Sequence, residues 1–181
     1  RAARFAPRGD AAAAWRLYCL AAFYLPEHDQ RKRHFIARHR VTSMPLTLTW
    51  RCADIQSPYK DGSLTAIHWQ ADPDDRARFP DAPSTLVMMN GFDGYAEEII
   101  DFASHFPTRP FDIITFDGPG QGHTVLAGMP LEPEWERPTD AVLDYFGVTS
   151  AAALGVSFGG YLVMRSGRPL PAPSRTSSPS T

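Results

Sequence analysis

The chain has 181 residues, enough for one domain with a real apolar core. Its 43% hydrophobic and 21% charged content is ordinary for a water-soluble globular protein. A net charge of −2 gives no electrostatic basis for binding nucleic acid or an anionic membrane, and two cysteines, Cys19 and Cys52, make neither a disulfide framework nor a metal site and fit a cytoplasmic protein.

Residues 10–25 read as a helix. Asp10 caps it, Ala11, Ala12, Ala13 and Ala14 are strong helix formers, and Pro26 ends it. The same stretch is not expected to be a secretory leader, because Arg16 breaks the apolar run and no cleavage site follows. No apolar run approaches the ~18 residues needed to span a bilayer. The first residue is Arg, as in an incomplete or processed N-terminus. Residues 27–40 read as a second helix, whose Arg, Lys and His run is expected to be a solvated face.

Strand-like alternation starts at residues 46–50, and residues 58–62 form a turn. Residues 63–69 return as the second strand of a hairpin, and residues 72–83 read as a polar loop. The pattern then changes. Thr85–Met89 is a continuous apolar run, as expected of a strand buried on both faces. Residues 97–106 carry helical spacing, 111–116 a second buried strand, and 134–146 a helix that Pro138 interrupts early. Residues 151–156 read as a third buried strand, and a helix opens at Phe158. Strand and helix in alternation predict an α/β fold with a mostly parallel sheet flanked by helices. From Gly167 the chain is rich in Pro, Ser and Thr and is expected to be disordered.

Three loops follow the three apolar strands. Gly155-Val156-Ser157-Phe158-Gly159 has the G-x-S-x-G form of a nucleophile elbow, placed between a strand and a helix as that turn requires. A packing turn with a surface serine is the alternative. Asn90-Gly91-Phe92-Asp93-Gly94 sits where a serine hydrolase draws one backbone N–H of its oxyanion hole; the residue after the serine, Phe158, supplies the other. Phe92 is the expected loop donor, with Asp93 next. Asp93 itself either faces the substrate or caps the following helix. Asp117-Gly118-Pro119-Gly120-Gln121-Gly122 invites a phosphate-loop reading, but it lacks a Lys-Ser/Thr ending and the G-x-G-x-x-G spacing, and Pro119 has no N–H to offer. It reads as a structural turn shaping the wall of the site.

With these segments in this order, the chain resembles the α/β-hydrolase superfamily. Asp-Gly-Pro-Gly-Gln-Gly after a buried strand, with Gly-Phe-Asp-Gly-x-x-Glu-Glu upstream, is similar to the branch of 2,6-dihydropseudooxynicotine hydrolase and the fungal polyketide-shortening hydrolases. The resemblance covers about residues 10–166 and implies an α/β-hydrolase fold with a helical N-terminal segment over residues 1–42. It implies Ser157 as nucleophile, Phe92 and Phe158 as oxyanion donors, and a substrate-facing Asp93. The substrate implied is a small carbonyl compound cleaved at a carbon–carbon or ester bond. No metal or organic cofactor is implied. A small-molecule substrate is the expected partner, and a homo-oligomer stays open.

In this superfamily an acid and then a His follow the serine. No Asp, Glu or His follows Ser157. The chain therefore reads as a hydrolase domain over residues 43–166, incomplete at its C-terminus. The strand at 151–156 would be left as an open sheet edge, and the tail from 167 reads as out-of-frame or terminal coding sequence. His28, His34, His39, His68, His105 and His123 are the upstream candidates for a substitute base, with His123 the best placed, although it is expected to be a loop histidine near the site. The alternative to a weak hydrolase is a catalytically silent protein of the same fold.

Overall fold

The structure, a computed structural model, describes residues 11–26, 29–36, 38 and 52–167. The strand start expected at 46–50 and the tail beyond Gly167 lie outside the described residues. A five-stranded sheet carries the fold, with β1 (Cys52–Tyr59), β2 (Gly62–Trp69), β3 (Thr85–Met89), β4 (Asp112–Asp117) and β5 (Ala152–Gly155) in the order β1-β2-β4-β3-β5. The β1–β2 and β2–β4 pairs are antiparallel; β4–β3 and β3–β5 are parallel. The hairpin turns at Lys60 and Asp61, and Lys60 adopts φ 49°, the left-handed backbone that two-residue hairpin turns use.

β3 lies inside the sheet and all five of its residues are buried. Strand pleating sends alternate side chains to opposite faces. Leu86 and Met88 join Ile67, Trp69 and Ile113 beneath Ile99, Ile100 and Ala103 of α3 (Ala96–Ala103). Val87 and Met89 join Leu64, Ile114 and Phe116 against Val142 of α5 (Glu136–Tyr145) and Leu162 of α6 (Phe158–Ser166). The unbroken apolar run of β3 is thus the signature of a sheet covered on both sides.

Several expectations are corrected. The polar loop at 72–83 contains a short helix, α2 (Pro73–Arg78). Asp72 caps it by accepting from the N–H groups of Asp74 and Asp75, and Pro73 takes the first position, where its missing N–H costs nothing. A second unexpected short helix, α4 (Gly122–Leu126), follows the glycine turn. Pro138 does not interrupt α5; it stands third in the helix, among residues whose N–H groups have no intrahelical acceptor. The strand expected to be buried at 151–156 is not: β5 pairs with β3 alone among the described strands, and its residues are partly buried, with Ala153 exposed.

The N-terminal helix α1 (Ala11–Phe23) buries Ala14, Trp15, Tyr18 and Ala22. Ala22, and Ile36 from the helical residues 30–36, cluster with Tyr95 at the start of α3. Arg16 pairs with Asp101 of α3 at 3.2 Å. Cys19 is a free thiol, held above its ordinary pKa by burial and then by Glu98. The second half of this segment is not simply a solvated face: Lys32 and Ile36 are buried while Arg31, Arg33 and His34 are exposed. No helix among the described residues is long and apolar enough to cross a membrane.

Candidate functional site

The parallel register aligns the C-terminal ends of three strands. Met88 pairs with Thr115 on one side, and Met89 with Gly155 on the other. The loops after β3, β4 and β5 therefore open at the same end of the sheet, where open α/β sheets bind ligands.

Ser157 stands between β5 and α6 at φ 55°, ψ −122°, one of two non-glycine residues with positive φ among the described residues. Such a backbone is strained for an L-residue and persists only when its surroundings impose it. Two glycines permit it. A Cβ on Gly155 would overlap the backbone of Gly159 and Gly160, and a Cβ on Gly159 would overlap the Met89 carbonyl. The G-x-S-x-G spacing is thus a close approach of α6 to the ends of β5 and β3. Ser157 is exposed, and no hydrogen bond engages its hydroxyl among the described residues.

Gly91 lies directly beside it: a Cβ there would stand 3.5 Å from Ser157 Cβ and 3.8 Å from Ser157 Oγ. The loop is held from below. Buried Asn90 donates Nδ2 to the Tyr95 carbonyl at 2.6 Å and accepts from the Gly91 N–H at 2.7 Å. The Asn90 amide fills the space where a side chain on Gly94 would go. Buried Gln121 donates Nε2 to the carbonyls of Asn90 (3.2 Å) and Gly91 (2.9 Å). Within this frame neither Phe92 N–H nor Phe158 N–H donates a hydrogen bond among the described residues. The two rings meet edge to face at 5.6 Å, and Phe158 stacks on Tyr161. Asp93 is exposed and does not cap α3; the N-cap is Tyr95, whose N–H donates to Glu98 Oε1 at 3.1 Å.

The glycine turn after β4 buttresses this loop. Asp117, 1% exposed, accepts from the N–H groups of Ala96 (2.8 Å) and His123 (2.9 Å). Side chains at Gly118, Gly120 and Gly122 would overlap Trp135, Leu131 and the Asp117 carboxylate in turn. His123 Nε2 lies 3.0 Å from Glu97 Oε1 and 4.0 Å from Asp117 Oδ2, and its ring meets Tyr95 edge to face. Burial pushes the Asp117 carboxyl up to about 7, opposed by His123 and reinforced by the charge of Glu97. Glu97, Asp117 and His123 have the donor types and proximity to hold a metal ion, all within 4.8 Å of one another. His123 is joined to both carboxylates, and Asp117 also accepts from two backbone N–H groups. His123 is committed to these two carboxylates and makes no hydrogen bond with Ser157.

The structure brings Ser157, Gly91 and the Phe92 and Phe158 rings together at one end of the sheet. Sequence reasoning had no sign of the clamp made by Gln121, although that residue stands inside the motif it singled out. It also missed Lys32, which lines a cavity of about 160 Å³ together with Phe92, Asp93 and Tyr95. The signal was the pairing of Lys32 with Ile36, four residues apart and thus on one helix face.

No family model matches the chain. The hydrolase acrC of Aspergillus aculeatus is 37% identical over 93 residues, 44% of this chain and 22% of that protein. The hydrolase pyiE of Pyricularia grisea is 32% identical over 118 residues, 58% and 26% of the two chains. The crystal structure of a 2,6-dihydroxy-pseudo-oxynicotine hydrolase superposes with a TM-score of 0.65 at 21% identity, over 91% of this chain and 49% of that one. AbyA5 superposes equally well, at 18% identity over 91% and 46%. The chain spans about a quarter of the length of these fungal relatives and about half that of the solved chains. The chain thus has an α/β-hydrolase fold and is similar to the dihydroxy-pseudo-oxynicotine hydrolase and to these fungal hydrolases.

Proposed function

We propose that Ser157 is the nucleophile position of a serine hydrolase acting on a small carbonyl compound, by carbon–carbon or ester cleavage. The observation that carries this reading is the backbone of Ser157: φ 55° at an exposed strand-to-helix turn, with Gly91 against its Cβ. In this reading Ser157 Oγ attacks the carbonyl carbon, and the charge developing on the carbonyl oxygen is met by the N–H groups of Phe92 and Phe158. Two such donors are worth several kcal/mol of barrier, roughly 10²–10³-fold in rate for one of them. The adduct then collapses with cleavage of the ester C–O or the carbon–carbon bond, the leaving group departs carrying the proton that Ser157 loses, and water hydrolyses the acyl–serine ester to a carboxylic acid and free Ser157. Asp93, beside Phe92 in the cavity wall, faces the substrate.

A second reading has its own observation. A serine hydroxyl needs an adjacent base to react at neutral pH, and none contacts Ser157 among the described residues. A catalytically silent, ligand-binding role of the same pocket follows from that. Fluorophosphonate labelling separates the two. Labelling of the chain that disappears in Ser157→Ala supports a working nucleophile. Absence of labelling in protein with a cooperative unfolding transition favours the silent role.

A further inference from the structure

The glycines Gly94, Gly118, Gly120, Gly122, Gly155 and Gly159 all stand where a Cβ would overlap a neighbouring group. Gly91 is different. A Cβ there would meet nothing closer than Ser157 Cβ at 3.5 Å, an ordinary van der Waals contact, and its φ is not left-handed. Neither packing nor backbone conformation demands a glycine at this position. What a side chain would change is the space in front of Ser157 Oγ, 3.8 Å from that Cβ. We propose that Gly91 is a specificity-determining position: by lacking a side chain, it leaves the approach to Ser157 open to a carbonyl carbon that carries a branched or ring substituent. The inference rests on the Ser157 reading only in calling that compound a substrate.

The peptide groups on both sides of Gly91 are fixed. Its N–H donates to Asn90 Oδ1 at 2.7 Å, and its carbonyl accepts from Gln121 Nε2 at 2.9 Å and from the Gly94 N–H at 3.4 Å. Asn90 and Gln121 are themselves buried. A methyl group on residue 91 could not swing aside without breaking this frame. Ser157, opposite it, is held at φ 55° by the close approach of α6. A reacting carbonyl carbon comes within about 3–3.5 Å of the oxygen that attacks it, and it brings its substituents with it. A methyl group at van der Waals distance from the same oxygen takes volume that those substituents would otherwise fill. A carbonyl with only a methyl group beside it avoids the obstacle; one with a branched or ring carbon beside it does not. The selection is steric, and a close-packed frame does not yield to relieve it. Gly91 takes no part in bond making.

Access is read with a thiol in place of the serine, which needs no catalysis. In the full chain carrying Ser157→Cys, alkylation rates with iodoacetamide and with the bulkier N-cyclohexylmaleimide are measured, and peptide mapping separates position 157 from Cys19 and Cys52. Adding Gly91→Ala is expected to slow the bulky reagent about tenfold or more relative to the small one, the effect of one methylene in a fitted pocket. Gly160→Ala, whose methyl would stand 3.9 Å from the Gly155 carbonyl, is expected to leave the ratio unchanged. An unchanged ratio in Gly91→Ala overturns the proposal, as does an equal fall in Gly160→Ala. So does a Gly91→Ala chain without a cooperative unfolding transition, because packing would then demand the glycine. Fluorophosphonates with methyl and isopropyl esters are compared in parallel on the chain with its serine. Selection at the thiol without labelling of Ser157 sinks the nucleophile and leaves the role of Gly91 standing. Labelling without selection does the reverse.

Discussion

A methyl group on Gly159 would run into the Met89 carbonyl, whereas one on Gly160 meets only the Gly155 carbonyl at 3.9 Å. Two adjacent glycines are therefore expected to respond oppositely to the same substitution. Gly159→Ala costs about 1–3 kcal/mol through overpacking, while Gly160→Ala, inside α6, is neutral or stabilises by up to about 1 kcal/mol through helix propensity. Urea unfolding of the two variants checks this, and equal losses would show that α6 does not approach β3 so closely. Gln121 is the other residue on which the site depends. Gln121→Leu strips the carbonyls of Asn90 and Gly91 of their buried donor, and a loss of about 1–3 kcal/mol is expected. Hydrogen exchange should speed up in residues 91–95 more than in β4. The glycines of the elbow were legible as a motif because their spacing is local. The Gln121 clamp was not, because its two acceptors lie 31 and 30 residues away in sequence.

Helix α2 shows how capping outweighs a polar composition. Asp72 followed by Pro73 and two further aspartates is a helix start, and reading those residues only as polar hid it. Asp72→Ala is expected to cost about 1 kcal/mol, seen as a lower urea midpoint. The join between β4 and α3 carries the pH dependence. The Asp117 carboxyl is raised from its usual range to about 7 by burial. The folded chain then holds this proton more tightly than the unfolded chain, so the contribution is fully present below the unfolded value near ~4 and is lost as pH rises towards 7. The urea midpoint is expected to fall between pH 5 and pH 7.5, and Asp117→Asn to flatten that slope. A slope unchanged in the variant would assign the titration elsewhere, Glu98 being next because burial raises it too.

Across the molecule, Ile36 and Ala22 of the N-terminal segment pack against Tyr95 at the start of α3. Ile36→Ala is expected to cost about 2–5 kcal/mol where the site cannot collapse, and to raise hydrogen exchange across α1 while β3 and β4 stay protected. At one edge of the sheet, β5 has a strand neighbour on one side only among the described residues.

The apolar runs of β3 and β4, the helical spacing of α3 and the order of the three loops were all written in residues close together, where sterics and periodicity act directly. From them follow the α/β architecture and the G-x-S-x-G turn between β5 and α6. The packing of distant segments settled the rest: the strained backbone of Ser157, imposed by α6 pressing on β3; the loop beside it, held by an amide from the next crossover; and the burial of Lys32 in a helix whose charges otherwise face water. Such contacts arise between segments tens of residues apart, and their free energy depends on surfaces that exist only once the chain has closed on itself.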